Sequence, residues 1–425
     1  MKRSLRVAAL QLRAHDRSDF RDAFEPILRR VERIASQADL IVLPEATMPA
    51  YVLGDGGGDE SAVERAIDRL RACAKEFAVV IVAGAAVRDG GKFYNAGIVI
   101  DRDGTIAGRA EKIFLWHFDR RWFEGGRRIA PVQTSAGVFG VLICADGRMP
   151  GISRALVDAG AEILLMPTAW VSSGRDPSVL ENVQADLLGR MRAYENGVPF
   201  VAANKCGVER DMVLYCGKSQ IVSQDGEIVA MAGERDDEDL VQTLTIGEPK
   251  PHRSQLAQPP QRDAPVSGTL RIAISAAPLP NDALQRLEIL ETPFAIAPGE
   301  PERLAALDRV VPVAEIDDAT MLDPAGLVPF RRAGYRLALW RTKCDAWTQR
   351  IARARAGELR MYVVVIDSTA GCAFAVDPQS AVICGTFNDY RIASCTLDLA
   401  KAAQTLVAPG TDIAQGLERV EALTR

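Results

Sequence analysis

The stretch Ala136-Gly-Val-Phe-Gly-Val-Leu-Ile-Cys-Ala-Asp-Gly-Arg-Met-Pro150 predicts how the chain around it is organised. Residues 138–143 form a short apolar run rich in β-branched side chains, which is typical of a buried strand. Cys144 follows at the end of this strand, and a helical pattern starts near Ile152. Exposed backbone N–H groups and a helix N-terminus at such a turn both lower the pKa of a thiol. The stretch therefore indicates either a nucleophile or a small buried side chain.

Length and composition restrict the class of protein. A chain of 425 residues exceeds what one compact core usually holds, so two domains are expected. The formal net charge is −5 without a long basic run, which leaves nucleic-acid binding without electrostatic support. No apolar run approaches the roughly 18 residues of a membrane span. Arg6, Gln11 and Arg13 interrupt any signal-peptide core. We expect a cytoplasmic protein with neither a nucleic-acid nor a membrane partner.

Cysteine and histidine usage narrows the chemistry. The eight cysteines are scattered and contain no C-x-x-C pair, which argues against a disulfide framework and against a zinc site. There are only three histidines, His15, His117 and His252, so a Ser-His-Asp triad or a histidine-rich metal cluster is not expected. A hydrolase with this sequence would use a different base.

The first 248 residues alternate between strand and helix patterns. Two hairpins with Asp-Gly turns, around residues 95–108 and 217–232, are added to this alternation. The whole pattern predicts an α/β layered sandwich. The main predicted strands cover 5–12, 39–43, 79–86, 138–143, 162–166 and 199–204, and the main predicted helices cover 19–35, 61–77 (with Ser61 as the N-cap) and 178–196.

A second, smaller α/β domain is expected after a linker. Residues 249–268 contain five prolines and little periodicity, which predicts a Pro-rich linker between domains 1–248 and 269–425. Several patterns of the second part repeat those of the first in the same order. We therefore predict a shortened, degenerate copy of the first domain. Trp340 and Gly299 stand where its nucleophile and base would be, so this copy is expected to be non-catalytic.

Three ionisable residues stand at ends of predicted strands: Glu45, Lys112 and Cys144. Together, a carboxylate, an amine and a thiol can perform acyl transfer without histidine. The carboxylate takes the thiol proton, the thiolate attacks, and the cation stabilises the oxyanion. Taken singly, Glu45 could cap a turn, Lys112 could be a solvated surface charge, and Cys144 could be a buried apolar side chain.

These residues lie in motifs that resemble those of the nitrilase or carbon–nitrogen hydrolase superfamily. Pro44-Glu45 looks like the general-base motif, Glu111-Lys-Ile-Phe-Leu115 like the lysine motif, and Ile143-Cys-Ala-Asp-Gly-Arg-Met-Pro150 like the nucleophile motif. Ala203-Asn-Lys-Cys-Gly-Val-Glu209 and Gly217-Lys-Ser-Gln-Ile-Val222 resemble two further family segments. The resemblance covers roughly residues 4–248.

The resemblance implies a four-layer αββα sandwich, a Glu-Lys-Cys triad and no cofactor or metal. It also implies attack on a non-peptide C–N bond of a small molecule through a cysteine thioester. Lys112 and the backbone N–H of Ala145 would bind the oxyanion. Since family members commonly pair two sandwiches, the degenerate copy implies an intramolecular pseudo-dimer, with a homo-oligomer as the alternative.

Two departures from the family pattern affect the expected substrate and site. Asp119 stands where many members carry a second glutamate, one methylene longer, that orients substrate and lysine. The second departure is Ala145, which is smaller than the residue that relatives often carry after the nucleophile. Asp146-Gly147 looks more like the amidase branches, which favours an amide or N-carbamoyl substrate. His117 and Trp170 are candidate substrate contacts, although loop aromatics are more often simply packed. A true nitrilase and a non-catalytic scaffolding or binding member of the fold are the alternatives.

Overall fold

The computed structural model describes residues 2–54, 59–172, 176, 178–249, 256–289, 294–386 and 391–424. It divides into two compact units. The first comprises residues 1–252 together with the segments 408–411 and 418–425, and the second comprises 253–407 and 412–417. The two late segments were expected in the second domain. They are grouped with the first because their contacts lie there. In the expected linker, residues 256–268 form neither helix nor strand, and residues 250–255 lie outside the described residues.

The first unit is built on two β-sheets. Fourteen strands and four α-helices are described in residues 1–252. The strands are β1 (Arg3–Arg13), β2 (Leu40–Val42), β3 (Val80–Asp89), β4 (Lys92–Ile100), β5 (Ile106–Glu111), β6 (Val132–Thr134), β7 (Gly137–Val141), β8 (Ile163–Pro167), β9 (Phe200–Ala203), β10 (Lys205–Glu209), β11 (Val213–Cys216), β12 (Gln220–Val222), β13 (Ile228–Met231) and β14 (Glu238–Ile246). The helices are α1 (Phe20–Ala35), α2 (Glu60–Phe77), α3 (Pro150–Asp158) and α4 (Gly189–Asn196).

The two sheets form the inner layers of a four-layer sandwich. The first sheet has the order β11-β10-β1-β2-β3-β4-β5, with β14 antiparallel to β1, and the second has the order β13-β12-β9-β8-β7-β6. Strands β1, β2 and β3 face β8 and β9 across the middle. Helices α1 and α2 pack together against the first sheet, and α3 and α4 pack against the second. The predicted αββα sandwich is confirmed.

Apolar periodicity explains the outer layers. Helix α1 buries Phe24, Leu28 and Val31, which recur at helical spacing, into a core shared with alternate side chains of β1, such as Leu10. Burial of this kind stabilises the fold by about 25 cal/mol per Å² of apolar surface. Since strand side chains alternate, the other face of β1 is left for the contact between the sheets.

Two helix boundaries differ from the predicted ones. The N-cap of α2 is Asp59, whose carboxylate accepts the backbone N–H of Ala62 at 3.1 Å, whereas Ser61 only donates to Asp59. A carboxylate is a strong N-cap, so the cap moves two residues upstream. The helix predicted over 178–196 begins instead with a π-helical turn, Gln184–Leu188, followed by α4. The side-chain oxygen of Asn182 accepts the backbone N–H of Gln184, the first residue of this turn, at 2.9 Å.

The second unit is a smaller α/β assembly. Its strands are β15 (Thr269–Ile274), β16 (Phe294–Ile296), β17 (Val313–Ile316), β18 (Leu337–Arg341), β19 (Tyr362–Asp367), β20 (Cys372–Val376), β21 (Val382–Gly385) and β22 (Ala393–Asp398). Its helices are α5 (Asn281–Ile289), α6 (Pro301–Val310), α7 (Asp318–Leu322), α8 (Val328–Arg332), α9 (Thr348–Leu359) and α10 (Leu399–Ala403). The chain then forms β23 (Leu406–Ala408), β24 (Thr411–Asp412) and α11 (Ile413–Thr424).

Strand pairing in the second unit follows the order of the first unit in part. Strand β15 pairs parallel with β16 and antiparallel with β22, as β1 pairs with β2 and β14. The sheet β17-β18-β19-β20-β21 has the same pairing directions as β7-β8-β9-β12-β13. In this order β17, which ends at Ile316, corresponds to β7, the strand before Cys144. The strand that contains Trp340 is β18, which corresponds to β8, so the sequence-based alignment of Trp340 with the nucleophile is not the one that the strand order gives. The shortened copy itself stays a prediction.

No helix in the part of the chain that the structure describes is long and apolar enough to cross a membrane.

Candidate active site

Cys144 lies in a tight turn after β7. The backbone enters a short 3₁₀ turn, Cys144–Arg148, and Cys144 has a φ of 45°. A left-handed conformation in a residue other than glycine costs about 1 kcal/mol or more and persists only where the surroundings enforce it. Asp146 supplies that enforcement, because its buried carboxylate accepts the backbone N–H groups of Ile143, at 3.0 Å, and of Ile113 and Phe114, at 3.0 and 2.7 Å. The same carboxylate thus ties the cysteine turn to the residues that follow Lys112.

Glu45 follows β2 and is fully buried. Its Oε1 accepts hydrogen bonds from the side-chain amide of Asn95 and from Nζ of Lys112, both at 2.7 Å. Its Oε2 is buried and has no hydrogen-bond partner among the described residues. A buried polar atom without a partner is costly to the fold. Oε2 is therefore an acceptor available for a further hydrogen bond or for a proton.

Lys112 connects the carboxylates of the site. It follows β5 and is fully buried, with Nζ at 2.7 Å from both Glu45 Oε1 and Asp119 Oδ2. Burial disfavours the charged ammonium, but Asp119 and Glu45 outweigh that penalty and hold the pKa of Lys112 well above its usual value. Lys112 is therefore a cation at neutral pH.

Asp119 lies on a second 3₁₀ turn, His117–Arg121, and is fully buried. Its Oδ1 accepts the phenol hydroxyl of Tyr51 at 2.8 Å. Its Oδ2 accepts the backbone N–H of Trp116 at 2.8 Å and pairs with Lys112. The shorter side chain thus reaches the lysine.

The protonation state of Cys144 differs from the one expected at a strand-to-helix turn. Burial raises the pKa of the Cys144 thiol to about 12, and the negative charge of Glu45 adds to this effect. Lys112, the hydroxyl of Thr168 and the backbone N–H of Ala169 lower the pKa, but not enough to offset burial. The resting residue is a thiol because desolvation of a thiolate outweighs these donors. Attack by sulfur at neutral pH therefore requires a base.

The other predicted site residues are Ala145, Trp170 and His117. Ala145 is buried at the second position of the cysteine turn, where a backbone N–H has no partner within its own helix. Trp170 is buried, and its backbone N–H donates to the side-chain oxygen of Asn204 at 2.7 Å. The ring of His117 packs edge-on against Phe118. Substrate contact by His117 or Trp170 stays a prediction.

The sequence analysis assigned no supporting role to four residues that hold the site together: Tyr51, Asn95, Asp146 and Glu209. The carboxylate of Glu209 is fully buried. It accepts the N–H of Val52 at 2.6 Å and the hydroxyl of Tyr215 at 2.8 Å, and it pairs with Lys205 at 3.2 Å. Asn95 could have been found from the sequence, because it is a polar residue next to the apolar run of a predicted strand.

Gly84 on β3 sets the position of the Glu45 turn. A Cβ there would lie 2.3 Å from the carbonyl oxygen of Pro44 and 2.6 Å from Cα of Glu45. We expect Gly84→Ala to displace Glu45 from Lys112 and to lower kcat about tenfold or more, since small displacements of reacting groups are this costly. Gly108→Ala is the control, because its Cβ would meet only the side chain of Val132. Equal kcat values for the two variants would contradict the prediction.

In the described part of the chain, no group of three or more histidine, cysteine, aspartate or glutamate side chains could hold a metal ion.

Comparison with known proteins places this geometry in a family. A family model described as carbon-nitrogen hydrolase matches residues 6–248. A hydrolase encoded in the pqqF 5′ region of Pseudomonas protegens is 34% identical over 226 residues, which cover 52% of this chain and 74% of that protein. N-carbamoylputrescine amidase of Oryza sativa is 31% identical over 199 residues, covering 44% of this chain and 66% of that enzyme.

A solved structure supports the same assignment. The amidase from a Nesterenkonia species aligns with a TM-score of 0.51 and 25% sequence identity, covering 56% of this chain and 90% of the amidase. Residues 6–248, which the family model matches, contain the two-sheet sandwich and also Glu45, Lys112 and Cys144. The chain belongs to the carbon–nitrogen hydrolase family.

Proposed function

We propose that this chain hydrolyses the C–N bond of a small amide or N-carbamoyl compound through a thioester on Cys144, with Glu45, Lys112 and Cys144 as the triad. One observation carries this proposal. Glu45 has one oxygen tied to Lys112 and Asn95 and another, Oε2, buried without a partner, while the nearby Cys144 is a neutral thiol that needs a base.

In the first half-reaction, Oε2 of Glu45 takes the proton of the Cys144 thiol as sulfur attacks the carbonyl carbon. Negative charge then develops on the carbonyl oxygen, and the Lys112 ammonium and the N–H of Ala145 stabilise it. The tetrahedral intermediate collapses as the C–N bond breaks, and the leaving nitrogen takes the proton from Glu45. Ammonia or an amine departs, and the acyl group stays on sulfur.

In the second half-reaction, Glu45 removes a proton from water, and the resulting hydroxide attacks the thioester carbonyl. Collapse breaks the C–S bond, and the Cys144 sulfur recovers the proton from Glu45. Over both steps water and the C–N compound become an acid and an amine. Asp119 holds Lys112 in place as a cation throughout.

Two features support an amide or N-carbamoyl substrate over a nitrile. Asp146 and Gly147 follow the cysteine, a pattern that resembles the amidase branches. The relatives include an N-carbamoylputrescine amidase and an amidase of known structure.

The function is tested by measuring ammonia release from a panel of short aliphatic amides, ω-amido acids, N-carbamoyl amines and nitriles. In parallel, the protein is quenched in acid during turnover and its peptides are analysed by mass spectrometry. We expect release from the amide or N-carbamoyl class and an acyl adduct on the Cys144 peptide. Release from nitriles alone would favour the nitrilase alternative, and no release with no adduct would favour a non-catalytic member of the fold.

The neutral resting thiol makes its own prediction. Because the folded pKa of Cys144 is about 12, the thiolate fraction stays very small at neutral pH. We expect the difference in ultraviolet thiolate absorbance between the wild type and Cys144→Ala to stay flat from about pH 6 to about pH 9 and to rise only above that range. A step in this difference near neutral pH would reveal a resting thiolate–cation pair and contradict the prediction.

A further inference from the structure

Residues 116–126 form a loop, called here the lysine loop, that carries Asp119 to Lys112. The loop starts at Trp116, whose N–H binds the Asp119 carboxylate, and ends at Gly126, whose N–H donates to the carbonyl oxygen of Lys112 at 2.8 Å. Its conformation therefore determines whether Asp119 and Lys112 meet. Segments 408–411 and 418–425, late in the chain, belong to the same compact unit as this loop.

The first of these segments binds the beginning of the lysine loop. The hydroxyl oxygen of Thr411, which is fully buried, accepts the backbone N–H of His117 at 2.7 Å. The carbonyl oxygen of Gly410 accepts a hydrogen bond from the Nε–H of Arg120 at 3.2 Å. These two contacts flank Asp119 on both sides in sequence.

The second segment binds the end of the lysine loop. The guanidinium of Arg419 donates through Nη2 to the carbonyl oxygens of Gly125 and Gly126, at 2.9 and 2.8 Å. Gly125 leaves room for this contact, since a Cβ there would lie 2.7 Å from Nη2 of Arg419. Val420 of the same segment lies close to Gly151 at the start of α3, the helix after the cysteine turn.

The backbone of His117 explains why the loop needs such a partner. His117 has a φ of 46°, a conformation that side-chain-bearing residues adopt at a cost and keep only when neighbours enforce it. The backbone N–H of the half-buried His117 also needs an acceptor, and that acceptor is the Thr411 hydroxyl. Without Thr411 the turn that presents Asp119 would lose this constraint.

We propose that Thr411 and Arg419 are positioning residues of the active site, which hold the lysine loop so that Asp119 stays in contact with Lys112. This inference rests on the proposed function, in which the Lys112 cation stabilises the oxyanion. It gives the end of the chain, where the sequence analysis expected no role in the chemistry, a part in building the site.

The test compares Thr411→Ala, which removes the acceptor, with Thr411→Ser, which keeps it, on a substrate found with the panel above. We expect Thr411→Ala to lower kcat about tenfold with a smaller change in KM, and Thr411→Ser to restore kcat to within about twofold of the wild type. Thr424→Ala is the matched control, because its hydroxyl donates only to carbonyl oxygens of its own helix.

A double-mutant cycle separates positioning from general stability. If Thr411 acts through Asp119, adding Thr411→Ala to Asp119→Asn produces little further loss of kcat. An undiminished loss in that background, or a Thr411→Ala enzyme within twofold of the wild type, would overturn the proposal. If Thr411→Ala does not fold, Arg419→Gln takes its place in the same cycle.

Hydrogen exchange gives a readout that does not depend on the substrate. We expect faster amide exchange in peptides covering residues 116–126 in Thr411→Ala, and unchanged exchange there in Thr424→Ala. Should the wild type cleave no substrate class, the proposed function fails, and exchange still tests the contact. Unchanged exchange in Thr411→Ala would overturn the positioning role by itself.

Discussion

Replacing Cys144 by alanine should abolish carbon–nitrogen bond hydrolysis, with a loss in kcat/KM of about 10⁴-fold or more. In the proposed mechanism the cysteine sulfur forms a covalent bond to the substrate, and an alanine side chain cannot form that bond. The change is otherwise mild, because the buried side chain is small and the turn is held by the Asp146 carboxylate. The measurement is steady-state release of ammonia or amine on the substrate identified with the panel.

The matched control for this variant is Cys73→Ala. Cys73 is also a buried thiol, and it lies on α2 in the core between that helix and the first sheet. We expect Cys73→Ala to keep kcat/KM while losing some stability. If Cys144→Ala kept a tenth or more of the wild-type activity, another residue would have to be the nucleophile.

Replacing Lys112 by methionine should have the second largest effect, and on two properties at once. The ammonium stabilises the oxyanion in the proposed mechanism, so its loss should lower kcat/KM about 10²- to 10³-fold or more. It is also the counter-ion of Glu45 and Asp119, both fully buried at 2.7 Å from Nζ. Leaving buried carboxylates without their partner costs about 3–5 kcal/mol, which we expect in the free energy of unfolding measured by denaturant titration.

A second substitution separates the two effects of Lys112→Met. Adding Asp119→Asn removes one of the stranded carboxylates, so the double variant should recover part of the lost stability. Activity should not recover, since the cation is still absent. A double variant less stable than Lys112→Met alone would contradict the role of Lys112 as the counter-ion of Asp119.

Much of the fold follows from local patterns in the sequence. The α1 periodicity, the apolar runs of β2, β3 and β8, and the Asp-Gly turns depend on neighbouring residues only, and they predicted the sandwich. Boundaries were less certain where two capping side chains compete, as at Asp59 and Ser61. The degenerate nature of the second unit stays a prediction, supported by its strand order.

The motif residues Glu45, Lys112 and Cys144 were identified from sequence because each stands where a predicted strand ends, at spacings that resemble those of a known family. Asp119 was identified from the family resemblance alone, at the position where many members carry a glutamate that is one methylene longer. The folded chain brings Glu45, Lys112 and Asp119 into one hydrogen-bonded cluster. Their chemistry stays a proposal.

The sequence by itself thus determined the α/β sandwich, the family and the candidate ionisable residues, since these depend on periodicity and on short motifs. Only the tertiary structure decided that Cys144 is a neutral thiol, because its pKa depends on how fully neighbours exclude water. It also decided that Glu45 keeps one oxygen unpartnered and that Thr411 binds the lysine loop from 294 positions away in sequence. Burial and contacts between distant residues leave no periodic or local signal, so they emerge only when the chain is folded.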